Sequence, residues 1–405
     1  MNGTINVSGA LNVNYSGTMS SFSTTGNTIN LTGTKLCTIS SPFTINSLTI
    51  YAGDSLAIAT SVTTVSSIVN NGVVQLNVGG TVSNGIVYNA GSAVVFNQAN
   101  YSLTGSTDYY WPASNPPTIV NALQALNLNG QSRTIAASGT FYTGAAITSA
   151  SSLTVNGTLQ LNAGGSLTGA PTLGSSSTLI YNTASFTTIG NEWNNPANVT
   201  INAGTSLLMG TQAAAQTIAG NLLINGGFTL STTASPNGDL IVSGNWTHAN
   251  SGATITLNNK TVTFGGNTTS TITNSGGGTE SFYNLTVNKS SGGVSMSSPI
   301  TISNLFTLTN GIVTTNANQL LLNNTSNTSV TGSYGTSTFI NGALSWKLPA
   351  SSGSTYTFPV GNGSSYYPLS LASPTTSTSG TTIATAQVSL SNCGGTADNL
   401  SLIHI

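Results

Sequence analysis

Charged residues are almost missing from this chain of 405 residues. Five Lys and Arg stand against six Asp and Glu, which makes 3% of the sequence, whereas an ordinary soluble domain carries about 25%. The net charge of −1 and the scattered basic residues provide no positive surface for phosphate groups, and nucleic-acid binding depends on such a surface. The composition therefore argues against nucleic acid and anionic membranes as partners.

Cysteines and long apolar runs are also scarce. Cys37 and Cys393 are too few and too far apart for a disulfide framework, and neither has the spacing of metal ligands. No apolar run approaches the ~18 residues of a membrane-spanning helix, so we expect no membrane insertion.

The two ends of the sequence indicate a fragment. Strand-like sequence begins at residue 4 without a basic and apolar leader. Residues 400–405 differ in composition from the rest and are either a genuine last strand or the translation of a sequencing adaptor. We therefore expect an internal piece of a longer polypeptide.

A repeat of fixed period is the strongest pattern that the chain contains. Residues 71–82 return at 156–167, an offset of 85 without a gap, and a third, more divergent copy follows. Repetition at a fixed period is typical of stacked units that bury their apolar faces against their neighbours. We place the copies at 47–131, 132–216 and 217–303.

Short strands fill these repeats. Runs such as 153–155 and 199–201 alternate apolar residues with Thr or Asn, and Gly or Asn-Gly follows many of them. Gly53, Gly72 and Gly91 are each 19 residues apart. The pattern predicts an all-β protein, a parallel β-helix (β-solenoid) of about 20-residue coils over residues 1–345, in which aliphatic side chains point inward.

Backbone conformation and hydrogen bonding explain why Asn-Gly pairs suit the corners of such coils. Both residue types accept the left-handed backbone of tight bends, and stacked Asn amides can hydrogen-bond from one coil to the next. We therefore predict left-handed corners and ladders of Asn side chains.

The amino-acid composition changes near residue 339. Aromatic residues and prolines concentrate in residues 339–349 and 356–361, and proline is tolerated at strand edges and starts rather than inside a ladder. This pattern predicts that residues 346–405 are the truncated start of a separate, β-sandwich-like domain.

The same residues carry a family resemblance. Residues 339–349 and 356–361, together with the Asn/Thr/Gly repeats before them, resemble the very large secreted β-helical surface proteins of Gram-negative bacteria that end in a C-terminal sorting domain. The resemblance implies an adhesin, filament or surface-layer component that is secreted or displayed on the cell surface. No site of that family maps onto individual residues of this chain.

Enzymes built on β-helices provide the competing interpretation. Lyases and hydrolases that cleave polysaccharides hold two or more carboxylates together. Asp108, Glu192 and Glu280 lie 84 and 88 residues apart, about four coils or roughly 19 Å, whereas a glycosidase pair lies at most about 9.5 Å apart. His248 has no predicted orienting acid and no metal partner. We expect no catalytic residue, no metal site and no cofactor.

Each of these three acids lies beside aromatic residues, shortly before a strand. Two interpretations remain open: the rings are exposed and stack on sugars, or they fold inward where a longer loop re-enters the coil. We favour packing. The candidate glycan-binding residues are Tyr109, Tyr110, Trp111, Trp193, Phe282 and Tyr283.

These observations favour a non-catalytic extracellular protein that is structural or adhesive, such as a stalk or an adhesin. Its expected partners are surface glycans or a host surface, and the rest of the same long polypeptide. The alternative is a glycan-binding or polysaccharide-degrading β-helix protein.

Overall fold

The computed structural model describes residues 4–7, 12–13, 28–31, 36–39, 43–45, 47–64, 67–376, 382–389 and 402–404. These residues contain no α-helix and one 3-10 turn, Ala150–Ser152. They form a parallel β-solenoid of about 15 turns between residues 36 and 361, which confirms the predicted fold class. The chain divides into two units: unit 1 contains residues 1–183 and 190–194, and unit 2 contains residues 184–189 and 195–405.

Unit 1 has three faces, A, B and C, and a regular coil contributes one parallel strand to each. The strands of face A are Thr4–Val7, Thr28–Leu31, Ser47–Ile50, Ile68–Asn70 and Ile86–Tyr88, and then Arg133–Ile135, Leu153–Val155 and Thr172–Leu173. Those of face B are Asn12–Val13, Leu36–Ile39, Ser55–Ile58, Val73–Asn77, Ala93–Asn97, Ile119–Ala122, Thr140–Thr143, Thr158–Asn162 and Thr178–Asn182. Those of face C are Phe43–Ile45, Ser61–Thr64 and Thr81–Val82, and then Tyr101–Ser102, Leu126–Asn127, Ala146–Thr148 and Ser166–Leu167.

Coil register explains the repeat of 85 residues. Gln75 pairs with Val95, which pairs with Asn121. Asn121 pairs with Tyr142, and Tyr142 pairs with Gln160. The two equivalent glutamines are therefore four coils apart, as the period of about 20 residues predicts. Loops on the outside absorb the differences in coil length.

The inward side chains of face B form two files, one apolar throughout and one apolar except for the buried Thr143. Strand alternation points every second residue to the interior, and each of these residues is at most 3% exposed. Aliphatic packing in the interior was predicted and is confirmed. One file contains Cys37, Leu56, Val74, Val94, Val120, Phe141, Leu159 and Leu179.

Asparagine ladders join successive coils. The Nδ2 of Asn97 donates to the Oδ1 of Asn77 at 2.9 Å, and the equivalent pair one repeat later, Asn182 to Asn162, has the same length. This confirms the prediction of stacked amides. Each ladder satisfies polar groups at a corner without using a charge.

The predicted left-handed geometry is wrong for the repeated Asn-Gly pair at Gly72 and Gly157. Neither glycine has a positive φ. A Cβ atom on Gly157 would instead lie 2.2 Å from the carbonyl oxygen of Gly139 in the adjacent coil. Glycine is required there because two backbones approach closely. Gly164, in contrast, does adopt a left-handed φ of 87°.

Unit 2 also has three parallel faces, D, E and F. The strands of face D are Asn198–Ile201, Leu222–Ile224, Trp246–His248, Ser270–Asn274, Ile340–Asn341 and Val360–Asn362. Those of face E are Ser206–Leu208, Gly227–Thr229, Thr254–Thr256, Leu320–Leu322 and Leu344–Lys347. Those of face F are Gln216–Ile218, Leu240–Val242, Thr261–Phe264 and Val330–Gly332. Two long strands, Glu280–Met296 and Ile300–Thr314, run through all three faces.

Parallel pairing continues beyond the predicted boundary at residue 345. Ile340 pairs in parallel with Val360, and both side chains are fully buried. Pro349 and Pro359 lie between strands rather than inside them, so they do not interrupt the coil. The sandwich-like character of residues 346–405 stays a prediction.

Antiparallel strands follow the last coils. Ile383–Ser389 pairs with Leu344–Lys347 and with Leu402–His404. Thr355–Phe358 pairs with Leu369–Ala372, and Val360–Asn362 pairs with Ser365–Tyr366. The pairing direction therefore changes near the end of the described chain.

Replacing Gly157 with alanine tests the close approach of the coils. We expect G157A to lower the free energy of unfolding by about 1 to 3 kcal/mol, the usual cost of forcing extra atoms into a packed site. Gly105 is the matched control, because a Cβ atom there meets nothing within 4 Å. G105A should change stability by less than about 0.5 kcal/mol. Equal effects of the two variants in denaturant unfolding would contradict this account.

Candidate functional site

A long loop interrupts face A in one coil of unit 1, and Asp108 closes it. The carboxylate is 1% exposed. Its Oδ1 accepts hydrogen bonds from the backbone N–H groups of Tyr110 and Trp111, both at 3.0 Å, and its Oδ2 accepts one from the hydroxyl of Tyr101 at 2.8 Å. Such charge-assisted bonds are stronger than neutral ones. Asp108 therefore folds its own loop rather than facing a ligand.

Arg133 ties the same loop to the next coil. Its guanidinium donates from Nε to the carbonyl oxygen of Trp111 and from Nη2 to that of Gly105, both at 2.6 Å. The side chain is 2% exposed. Burial lowers the pKa of Arg133, and the nearby Asp108 carboxylate acts in the opposite sense. The buried cation thus satisfies carbonyl groups that the missing strand leaves without ladder partners.

Two lysines of unit 2 also donate to backbone carbonyl oxygens. Lys260 is 1% exposed, and its Nζ donates to the carbonyl oxygen of Asn237 at 2.7 Å. Lys289 is fully buried, and its Nζ donates to the carbonyl oxygen of Ser243 at 3.0 Å. Burial lowers the pKa of Lys289. The buried cations of the described chain therefore bind backbone oxygens.

Glu192 closes a second loop of unit 1. The carboxylate is 3% exposed, and its Oε1 accepts from the hydroxyl of Tyr181 at 3.0 Å and from the N–H of Gly190 at 2.8 Å. Burial raises the pKa of Glu192, and these hydrogen bonds partly offset the rise. Trp193 packs against Tyr181 with ring centroids 6.2 Å apart. Asp108 and Glu192 thus have equivalent roles in equivalent loops, after strands four coils apart.

The structure contradicts a sugar-stacking role for four of the six candidate rings. A ring that is at most 6% exposed offers no face to a sugar in solvent. The four buried residues are Tyr110, Trp111, Trp193 and Phe282. Tyr109 is 44% exposed and Tyr283 is half-buried, so glycan binding by these two residues stays a prediction.

Glu280 forms a polar cluster with a histidine that the sequence did not connect to it. Its Oε2 lies 3.0 Å from the Nδ1 of His248 and accepts from the Nδ2 of Asn274 at 3.1 Å. Its Oε1 accepts from the Nε1 of Trp246 at 3.0 Å. Burial raises the pKa of Glu280, and the hydrogen bonds and charge of His248 lower it in part.

Hydrogen-bond geometry places one proton between His248 and Glu280. The Nε2 of His248 lies 3.2 Å from the carbonyl oxygen of Ala253, which can only accept, so Nε2 carries a hydrogen. The proton between Nδ1 and Oε2 belongs either to an imidazolium or to a neutral carboxyl group. Both nitrogens of the ring and both oxygens of the acid are therefore occupied by protein partners.

Strand alternation was the signal that could have revealed this cluster. Within Trp246–His248, the tryptophan and the histidine point to the same side, and His248 pairs in register with Asn274. His248 and Glu280 are 32 positions apart in the sequence. Their proximity is not evident from the sequence, because the length of this coil cannot be derived from the repeat pattern.

Within the described residues, no group of three or more His, Cys, Asp or Glu could hold a metal ion. The same residues include no helix that is long and apolar enough to cross a membrane. No family model, no curated protein and no solved structure matches this chain.

Changing Glu192 to glutamine tests the burial of the loop acids. Burial raises the pKa of the Glu192 carboxyl in the folded chain above its ordinary value of 4.5. Between the unfolded-state and folded-state pKa values, the folded chain therefore binds more protons than the unfolded chain. The free energy of unfolding consequently falls as the pH rises through the raised pKa. We expect the melting temperature to fall between pH 4.5 and neutral pH, and to fall less in E192Q. The two proteins should melt alike well below pH 4.5, where both side chains are neutral in the folded and in the unfolded chain. Parallel melting curves at all pH values would refute the assignment.

Proposed function

We propose that this chain is a non-catalytic structural or adhesive part of a secreted or cell-surface protein. The observation that carries the proposal is that these charged side chains are buried and bind other groups of the protein. Asp108, Arg133, Glu192, Glu280 and Lys289 are all buried and all hydrogen-bond to the protein itself. Groups that an enzyme would present to a substrate here hold the coils together.

The outer faces favour contact with neutral partners. On face F, Thr263, Thr286, Thr307 and Thr331 lie in register, one per coil, and Thr307 and Thr331 hydrogen-bond to each other at 3.2 Å. Hydroxyl groups in a regular file suit packing against uncharged polymers or other coils. Surface glycans, a host surface and the rest of a longer polypeptide are therefore the partners that we propose.

The cluster of His248 and Glu280 is the one observation that favours the alternative, a polysaccharide-degrading protein. Histidine and carboxylate side chains are common general acids and bases. In this cluster, however, Trp246, Asn274 and the carbonyl oxygen of Ala253 already occupy the polar atoms. We therefore propose that the cluster stabilises the interior of unit 2.

Incubation with polysaccharides separates the two functions. We expect the purified 405-residue chain to release no reducing ends from starch, xylan, cellulose or polygalacturonate, because both oxygens of Glu280, the one acid of the cluster, are hydrogen-bonded within the protein. E280Q is the matched control, since it removes the acid and keeps a similar shape. Release of reducing ends by the native chain, abolished in E280Q, would overturn the non-catalytic proposal.

Antibody labelling of intact producing cells tests the proposed location. We expect an antibody against the purified chain to label cells whose membranes are unbroken. Labelling that requires permeabilised cells would contradict a secreted or surface location.

A further inference from the structure

A shallow groove crosses face C of unit 1. It has a volume of about 210 Å³ and lies over the strands Tyr101–Ser102, Leu126–Asn127 and Ala146–Thr148. Its lining residues are Asn100, Ser102, Ala125, Leu126, Asn127, Ala146 and Thr148. No acidic, basic or aromatic side chain lines it.

The polar groups of the groove form a file with a fixed spacing. Ser102 pairs in register with Asn127, and Asn127 pairs with Thr148. Neighbouring parallel strands lie about 4.8 Å apart, so a hydroxyl, an amide and a second hydroxyl follow one another at that interval. Ser102 and Thr148 are exposed, which leaves both hydroxyl groups accessible from solvent.

Asn127 is held in place by its own hydrogen bonds. Its Oδ1 accepts from the backbone N–H of Asn129 at 2.8 Å and from the hydroxyl of Ser149 at 3.3 Å. These contacts fix the plane of the side-chain amide and leave its Nδ2 to donate elsewhere. A donor that is fixed before binding loses little conformational entropy when a ligand arrives.

Two small residues lie beside this polar file. Ala125 is half-buried and Ala146 is exposed, and both line the groove. Their methyl groups provide a small apolar surface next to hydroxyl and amide groups. A sugar ring has the matching character, since its C–H groups are apolar and its hydroxyls both donate and accept.

We propose that this groove binds one sugar ring of a neutral glycan. The proposal deepens the adhesive function and rests on it. A charged ligand would lose hydration without finding an opposite charge in the groove. The ring lies over Ala125 and Ala146, while its hydroxyls bond to Ser102, Asn127 and Thr148. Recognition in this groove therefore depends on hydrogen bonds rather than on stacking against aromatic rings.

Ligand-observed NMR with the full chain tests the groove. The probes are maltotetraose, cellotetraose and triacetylchitotriose as neutral glycans, and tetragalacturonate as a charged one. We expect at least one neutral probe to bind and tetragalacturonate not to bind. A146L fills the groove and should weaken binding at least tenfold. A90L adds the same side chain at an exposed turn outside the groove and should leave binding unchanged.

Three outcomes would overturn the proposal, and they can be distinguished from one another. Unchanged binding in A146L would place the glycan elsewhere and keep the adhesive function. Absence of binding by every neutral probe would remove the groove as a site but leave the structural function intact. Equal binding of tetragalacturonate would contradict neutral recognition. If A146L fails to fold, the double variant S102A and T148A removes the hydroxyls without added bulk and should weaken binding in the same way.

Discussion

Constant hydrogen-bond register between successive coils is the constraint on which this structure depends. Because Gln75, Val95, Asn121, Tyr142 and Gln160 pair one after another, every second residue of face B is forced inward at the same position in each coil. Apolar side chains then stack in continuous files and bury one another. The same register brings asparagine amides into ladders and forces the backbones together at the repeated glycines.

The scarce charged residues are used where this register is broken. Loops that replace a strand leave backbone groups without ladder partners, and a buried polar group without a partner is costly. Asp108 and Glu192 accept hydrogen bonds from loop N–H groups, while Arg133 and Lys289 donate to carbonyl oxygens. Charge therefore stabilises irregular segments of the coils.

Much of this architecture is readable from the sequence, because stacking translates a period in the chain directly into neighbours in space. The repeat predicted that Gln75 and Gln160 lie four coils apart. The sequence left two interpretations of Trp111 open, exposed or packed, because its burial depends on how the loop of Asp108 folds. The contact of His248 with Glu280 was missed because it joins different coils of irregular length. The groove over Ala125 and Ala146 carries no motif, since it arises from small side chains aligned by register.

Distance measurement across one repeat of unit 1 tests the central claim most directly. Spin labels on Q75C and Q160C, in a chain with Cys37 and Cys393 changed to alanine, report their separation by double electron–electron resonance. Four coil steps of about 4.8 Å place the two backbone positions about 19 Å apart, and the account predicts a narrow distribution around that value, broadened only by the label arms. A much longer separation, or a broad distribution without a maximum, would contradict stacking in constant register.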